Sequence, residues 1–316
     1  MRKAYLNWCL IVLFLPVLCA DARPEDKKLN AGTLSSIKLR NVGPALMSGR
    51  IADIAIDPLR PNTWYVAAGS GNLWKTVNAG TTWTPIFENY GSYSIGCVTI
   101  DPSQHDTIWV GTGENVGGRH CGYGDGVYRS LDGGRSFKNM GLKESEHIAK
   151  ILVDPRDSSI IYVASQGPLW SPGGERGLYK STDGGKTWHQ ILAKGPYTGV
   201  TDLAFDPENP DVLYAATHQR HRTVWALVNG GPETGIFKSD DAGKTWKELK
   251  SGLPGEDKGK IALAVSPLRS QVVYASIELA GRKGGFWRSE NGGESWTKMS
   301  DYLSGGTGPH YYQEIY

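Results

Sequence analysis

Two sets of side chains in this sequence have the types and spacings to meet a ligand. The first recurs along the chain. Five apolar segments end in Asp-Pro or Ser-Pro: Ile51 to Pro58, Cys97 to Pro102, Lys150 to Pro155, Asp202 to Pro207 and Ala262 to Pro267. Four residues before each closing Asp or Ser stand Asp53, Cys97, Lys150, Asp202 and Ala262, and Glu314 takes the same place in a partial sixth segment. Carboxylates and an ammonium repeated at one strand position would either line a common mouth and grip a polar ligand or pair with one another in water. The second set lies in four insertions, Glu114 to Asp125, Gln166 to Arg176, His218 to Thr234 and Ile277 to Gly285. They carry Glu114, Arg119, His120, Tyr123, Trp170, Glu175, Arg176, Arg220, Arg222 and Trp225. Indoles beside guanidinium and carboxylate groups suit stacking on a sugar ring or holding a peptide. Loops on a rigid scaffold are where such binding resides, although decoration of a solvated loop has the same composition.

Other chemistries find no support. His218-Gln-Arg-His221 has the look of two metal ligands, but it follows a strand and is flanked by arginines that repel a cation. Arg119-His120-Cys121 fares no better. No phosphate-cradling Gly loop ends in Lys, and no Ser sits in a Gly-x-Ser-x-Gly elbow. No metal and no cofactor are therefore expected.

The elements that must position these residues are set by a repeat. A phrase Ser/Thr-x-Asp/Asn-x-Gly-x-Thr/Ser-Trp/Phe occurs five times, at Thr76 to Trp83, Ser130 to Phe137, Ser181 to Trp188, Ser239 to Trp246 and Ser289 to Trp296. Before each box come an apolar strand and a short Tyr/Trp/Val-rich strand; a third strand enters the box and a fourth leaves it. Four short antiparallel strands per repeat, joined by Gly, Pro and Asp turns, predict an all-β, multi-bladed β-propeller, with five blades and the start of a sixth. The box residues Asn78, Asp132, Asp183, Asp241 and Asn291 are read as acceptors for turn N–H groups, and Trp83, Phe137, Trp188, Trp246 and Trp296 as packing between sheets. Recurrence in every blade argues for a structural rather than a catalytic role, since an active site is needed once.

The 316-residue chain opens with Arg2-Lys3, an apolar run Leu10 to Leu18 and Ala20-Asp-Ala22. This pattern predicts an export signal over residues 1–22, a linker over 23–36 and the propeller over 37–316, truncated at its C-terminus. A secreted, periplasmic or cell-surface location follows, with no transmembrane segment in the mature part. Removal of residues 1–20 takes Arg2 and Lys3 from the 34 basic residues and no acidic one, leaving 32 against 32. A neutral surface gives no field for nucleic acid. Cys97 and Cys121 remain, either as one disulfide or as two thiols.

The boxes resemble the Asp-box, or bacterial neuraminidase, repeat. Arg40-Asn-Val-Gly-Pro44, Gly124-Asp-Gly-Val-Tyr-Arg-Ser130 and Tyr311-Tyr-Gln-Glu-Ile315 are further similar to phrases of sortilin-type N-terminal propellers in large exported bacterial proteins. The resemblance implies an exported propeller that binds a peptide, protein or glycan on its loop-rich face, non-catalytic in this segment. Its alternative is a glycoside hydrolase, xyloglucanase-like or sialidase-like, with part of its site beyond Tyr316. Against the sialidase pattern Arg-Ile-Pro, the chain has Arg50-Ile51-Ala52; at the position of the xyloglucanase catalytic Asp it has Gly69. Hydrolysis of a glycosidic bond ordinarily needs two facing carboxyl groups, and neither is recovered.

Overall fold

In a computed structural model of the chain, the described residues are 50–301 and 315, all within one compact unit, Asn41–Tyr316. The expected export signal, the linker and Glu314 lie outside the described residues. Those described form five antiparallel sheets of a multi-bladed β-propeller. Blade 1 runs β1 (Ile51–Ile56), β2 (Trp64–Ala68), β3 (Leu73–Thr76), β4 (Thr84–Pro85), and blade 2 runs β5 (Ile95–Ile100), β6 (Ile108–Thr112), β7 (Val127–Ser130), β8 (Lys138–Asn139). Blade 3 comprises β9 (Ile148–Asp154), β10 (Asp157–Ser165), β11 (Gly177–Ser181) and β12 (His189–Leu192). In blade 4, β13 (Thr198–Phe205) and β14 (Leu213–Arg222) are followed by β15 (Leu227–Asn229), which pairs only with β14, and then by β16 (Ile236–Ser239) and β17 (Lys247–Leu249). Blade 5 consists of β18 (Lys258–Val265), β19 (Val273–Leu279), β20 (Gly285–Ser289) and β21 (Thr297–Ser300).

The first strands β1, β5, β9, β13 and β18 lie side by side in chain order. The apolar core fills the gaps between blades rather than one central mass. Val98 of β5 packs with Tyr65 and Ala67 of blade 1, Ile151 with Trp109 of blade 2, Leu203 with Tyr162 and Ala164 of blade 3, and Leu263 with Tyr214 and Ala216 of blade 4. A single blade could not bury this face alone, so each one depends on its neighbour.

Each box folds into the same turn. In blade 2 the Ser130 hydroxyl accepts from Gly134 N–H at 2.8 Å and donates to Asp132 at 2.7 Å. The other ties of Asp132 come from the N–H groups of Arg135 and Ser136 and from the Ser136 hydroxyl. These bonds hold the Asp132 carboxyl well below the usual carboxylate range, the Ser136 hydroxyl contributing most. The fourth and fifth box residues both take left-handed φ, 70° and 88° at Gly133 and Gly134, which is why glycine dominates there. The closing aromatic reaches back to the preceding blade: Phe137 meets Phe87 edge-on at 5.0 Å, and Trp188 donates from Nε1 to Met140 O.

A second polar tie crosses every described gap between blades. The carbonyl of the fourth box residue accepts from the blade before it. Tyr65 Oη (3.1 Å) and Lys75 Nζ (2.7 Å) donate to Gly133 O, Arg129 to Gly184 O, Tyr162 and Lys180 to Ala242 O, and Tyr214 to Gly292 O. After blades 1 and 3 one donor comes from the second strand of the earlier blade and the other from its third, whereas after blade 2 the donor is the third-strand Arg129 and after blade 4 the second-strand Tyr214.

Candidate ligand-binding face

The strand position that opened the sequence reading sits just after a register shift. In β1 the shift falls between Ile51 and Asp53, and in β13 between Val200 and Asp202. Such a bulge re-aims the next side chain, here toward the neighbouring blade. Asp53 accepts the N–H of Val98 in blade 2 at 3.0 Å and that of Ile54 at 2.8 Å. Asp202 accepts the N–H groups of Leu263 in blade 5 and of Leu203, both at 2.8 Å. Lys150 Nζ stands 4.0 Å from Asp202 Oδ1. The carboxylates thus tie first strand to first strand, and Lys150 and Asp202 are brought together as an ion pair.

The insertions interlock at the end of the sheets away from the boxes. Glu114 is fully buried and forms a two-point pair with Arg50, Nε to Oε1 and Nη2 to Oε2, each at 2.5 Å. The blade 2 insertion then enters the mouth, where its carbonyls meet cations from two other blades. Lys260 of β18 donates to Asn115 O at 3.1 Å, Arg220 of β14 to Val116 O at 2.9 Å, and Arg222 to Gly117 O at 2.9 Å. Gln166 of blade 3 completes this layer, donating to Asn115 Oδ1 and Thr201 Oγ1, each at 2.6 Å. Arg176 draws in its own insertion, donating to the carbonyls of Gly173, Gln166, Pro168 and Ser171. Burial brings the pKa of Arg176 and of Arg220 down to about 10. Arg176, Arg220 and Arg222 are buried struts that fix loop backbone, not exposed ligand clamps.

What these struts hold outward is aromatic. Trp170 is 45% exposed and Trp225 is 89% exposed, with Tyr123 also open to solvent. Arg119 Nη2 donates to Val224 O at 3.1 Å, and Arg222 N–H to Leu169 O at 2.9 Å, so the three insertions carrying these rings are tied to one another. The exposed rings thus stand on loops that are tied to one another.

Several placements differ from the sequence reading. His218 to Arg222 is not loop but the continuation of β14, and β15 turns back upon it: Arg220 faces Asn229 in register, His221 faces Val228 and Arg222 faces Leu227. The disulfide does not form. Cys97 is a buried free thiol in the gap between blades 2 and 3, packed with Trp109 and Ile148. Cys121 is a free thiol whose Sγ lies 3.1 Å from Glu114 O and 3.7 Å from His147 Nδ1, and burial pushes its pKa up to about 12. Among the described residues no group of three or more His, Cys, Asp or Glu could hold a metal ion, and no helix is long and apolar enough to cross a membrane.

One residue at the mouth was not foreseen. Glu146 takes a left-handed φ of 52°, which a residue with a Cβ adopts at a cost. Burial raises its carboxyl pKa, while Arg176 and Arg220 pull in the other direction. Nothing in Lys143-Glu-Ser-Glu-His147 marks it as special, because the signal is its backbone and its neighbours in space.

The chain is similar to several known proteins. A GH74 enzyme from Niastella koreensis superposes with a TM-score of 0.60 over 79% of this chain and 38% of its own, at 20% identity. The chain shares the β-propeller fold of that enzyme. In sequence, a xyloglucanase from Paenibacillus sp. is 25% identical over 62% of this chain and 20% of its own length. The dispase autolysis-inducing protein of Streptomyces mobaraensis is 28% identical over 79% of this chain and 65% of its own length. The family described as Sortilin, neurotensin receptor 3, matches residues 125–234. The propeller therefore spans about a fifth of the length of the xyloglucanases it resembles.

Proposed function

We propose that this chain is the glycan-gripping propeller of a xyloglucanase-type glycoside hydrolase, exported from the cytoplasm. The observation that carries the reading is the pair of exposed indoles, Trp170 and Trp225, on insertions tied together through the buried Arg220 and Arg222. A β-glucan backbone presents flat, apolar sugar faces that such rings stack on, at roughly 1 kcal/mol per ring. The likeness to xyloglucanases supports a glucan as the ligand. It also corrects the emphasis of the sequence reading, in which a non-catalytic binder came first and a hydrolase second.

Among the described residues the hydrolytic pair is incomplete. Gly69 stands where the xyloglucanase resemblance calls for a carboxylate; its N–H is bonded to Arg50 O, and its own carbonyl accepts from Ser94 Oγ. Asp53 and Asp202 are occupied between blades, and Glu114 is occupied by Arg50. The propeller's part is thus to bind and orient the glycan, and cleavage belongs to the whole protein. Isothermal titration with xyloglucan heptasaccharide, run beside an assay for released reducing ends, tests this. Saturable binding without turnover by this chain is expected; absence of binding to any xyloglucan fragment contradicts it.

A second reading, capture of a peptide or protein, is favoured by the sortilin match over 125–234, the segment that contains Arg176, Arg220, Arg222 and both indoles. It predicts thermal stabilisation by peptides and none by glycans.

A further inference from the structure

Five described residues other than glycine hold a left-handed φ: Asn72, Ala79, Leu142, Glu146 and Ala242. Four have a local reason. Ala79 and Ala242 are the fourth residues of their boxes, where the turn imposes that backbone. Asparagine tolerates it, and the Asn72 side chain is built in, accepting from the N–H groups of Leu73 and Phe87. Leu142 is buried and packs with Met140 and Ile148. Glu146, at φ 52°, has no such reason: its charged side chain is only half-buried.

Strain of this kind persists where the surroundings over-determine it, and it gathers at functional sites. Here the surroundings are the ring-bearing insertions. The N–H of Gly124, next to Tyr123, donates to Glu146 O at 2.7 Å, and a Cβ on Gly113 would collide with the same oxygen. Two residues earlier, Glu144 O accepts from the N–H of Glu175, and its own N–H donates to the Glu175 carboxylate at 2.8 Å. The N–H of Leu169, next to Trp170, steadies the Glu146 carboxylate. The strained residue therefore stands where the segments of Tyr123 and Trp170 meet.

The other carboxylates at this end are committed to the fold. Glu114 is paired with Arg50, Asp125 accepts from Tyr128, Glu233 from Gly195 and Thr198, and Glu278 from Asn229. Arg176 and Arg220 attract Glu146, but their own hydrogen bonds run to main-chain carbonyls. Among the described residues Glu146 makes no ion pair and no hydrogen bond to a side chain.

We propose that Glu146 is a ligand-contacting carboxylate, accepting hydroxyl hydrogens from a sugar unit carried between Tyr123 and Trp170, a role that rests on the glycan reading above. Hydroxyls bonded to an ionised acceptor form short, strong bonds, and a side chain on a fixed backbone loses little freedom when it makes them. A glycine at this position would hold the same backbone without strain, but it would leave the sugar hydroxyls without their acceptor.

Glu146→Gly and Glu146→Gln, made in the 316-residue chain, test this by calorimetric titration with xyloglucan heptasaccharide beside thermal melting. Glu146→Gly removes the carboxylate and the strain together. Its melting temperature should rise by about 3 °C while its affinity falls about tenfold, a combination that a merely structural residue does not give. Glu146→Gln keeps the size and loses the charge, and its affinity should fall about fivefold. A lowered melting temperature in Glu146→Gly overturns the proposal, because the side chain then serves the fold. Unchanged affinity in either variant overturns it too, and leaves the glycan reading standing. A wild type that binds no xyloglucan fragment removes that reading, and this role with it.

Discussion

Asp132, Asp183 and Asp241 do at residue scale what Asn78 and Asn291 do in the outer blades, and the difference between the two residue types is testable. The Thr187 hydroxyl donates to Asp183, whereas Asn78 donates from Nδ2 to the Thr82 hydroxyl, so an amide fits the same turn with one bond reversed. The Asp carboxyls are held low, that of Asp241 at about 2, chiefly by the Thr245 hydroxyl. A carboxyl whose folded pKa lies below its unfolded value of 3.8 contributes stability that is present above pH 3.8 and is lost as pH falls through the folded value. The triple variant Asp132→Asn, Asp183→Asn, Asp241→Asn should therefore flatten the loss of melting temperature below about pH 4 and change little at pH 7. Calorimetry from pH 2 to 7 checks it. This part of the molecule was legible in sequence because the turn is local: donor, acceptor and positive φ all lie within eight residues. Glu146 and Lys260 were not legible, since each gains its meaning from partners far along the chain.

At the scale of elements, the ties between blades carry the load that sequence reading assigned to ligand. Asp202→Ala leaves the buried N–H of Leu263 without its acceptor, so the variant should lose about 1–3 kcal/mol of stability while binding any ligand with unchanged affinity. Chemical denaturation beside a binding titration separates the two effects. Arg176→Met should behave differently. It frees four carbonyls of the insertion that presents Trp170, so stability should fall by about 2 kcal/mol and glycan affinity should fall with it, although Arg176 is itself buried beneath that surface. Strand order and blade boundaries followed from the period of the repeat. The extension of β14 through His218 to Arg222 did not, because a run of alternating polar residues reads as loop unless buried carbonyls wait to receive it. The bulges before Asp53 and Asp202 were invisible for a related reason. They shift pairing by one residue without changing the apolar alternation that marks the strand.

At the scale of the whole molecule, the described part of the propeller is a row of mutually dependent blades around a polar, cation-rich mouth. Two histidines at that mouth set its response to acid. His147 and His218 are buried, and burial, with Arg220 close to both, holds their pKa well below 6.5. Each stays neutral in the fold and takes up its proton only on unfolding. Stability is then full above pH 6.5 and declines as pH falls below it, ahead of the box carboxylates. Two successive acid steps are expected in the melting temperature, the upper one shrinking in His218→Gln. The propeller was legible as a fold and its loop-rich face as the place to look. Which side chains on that face are free to touch a ligand was not legible, because arginines and tryptophans in an insertion look alike on paper until burial divides them.

That division is the central claim, and one titration tests it. Xyloglucan heptasaccharide should be titrated calorimetrically into the wild type, the double variant Trp170→Ala, Trp225→Ala, and Arg119→Ala. The wild type should bind, the double variant should lose about tenfold or more in affinity with its melting temperature unchanged, and Arg119→Ala should lie between them. Equal affinity in the wild type and the double variant would contradict the account.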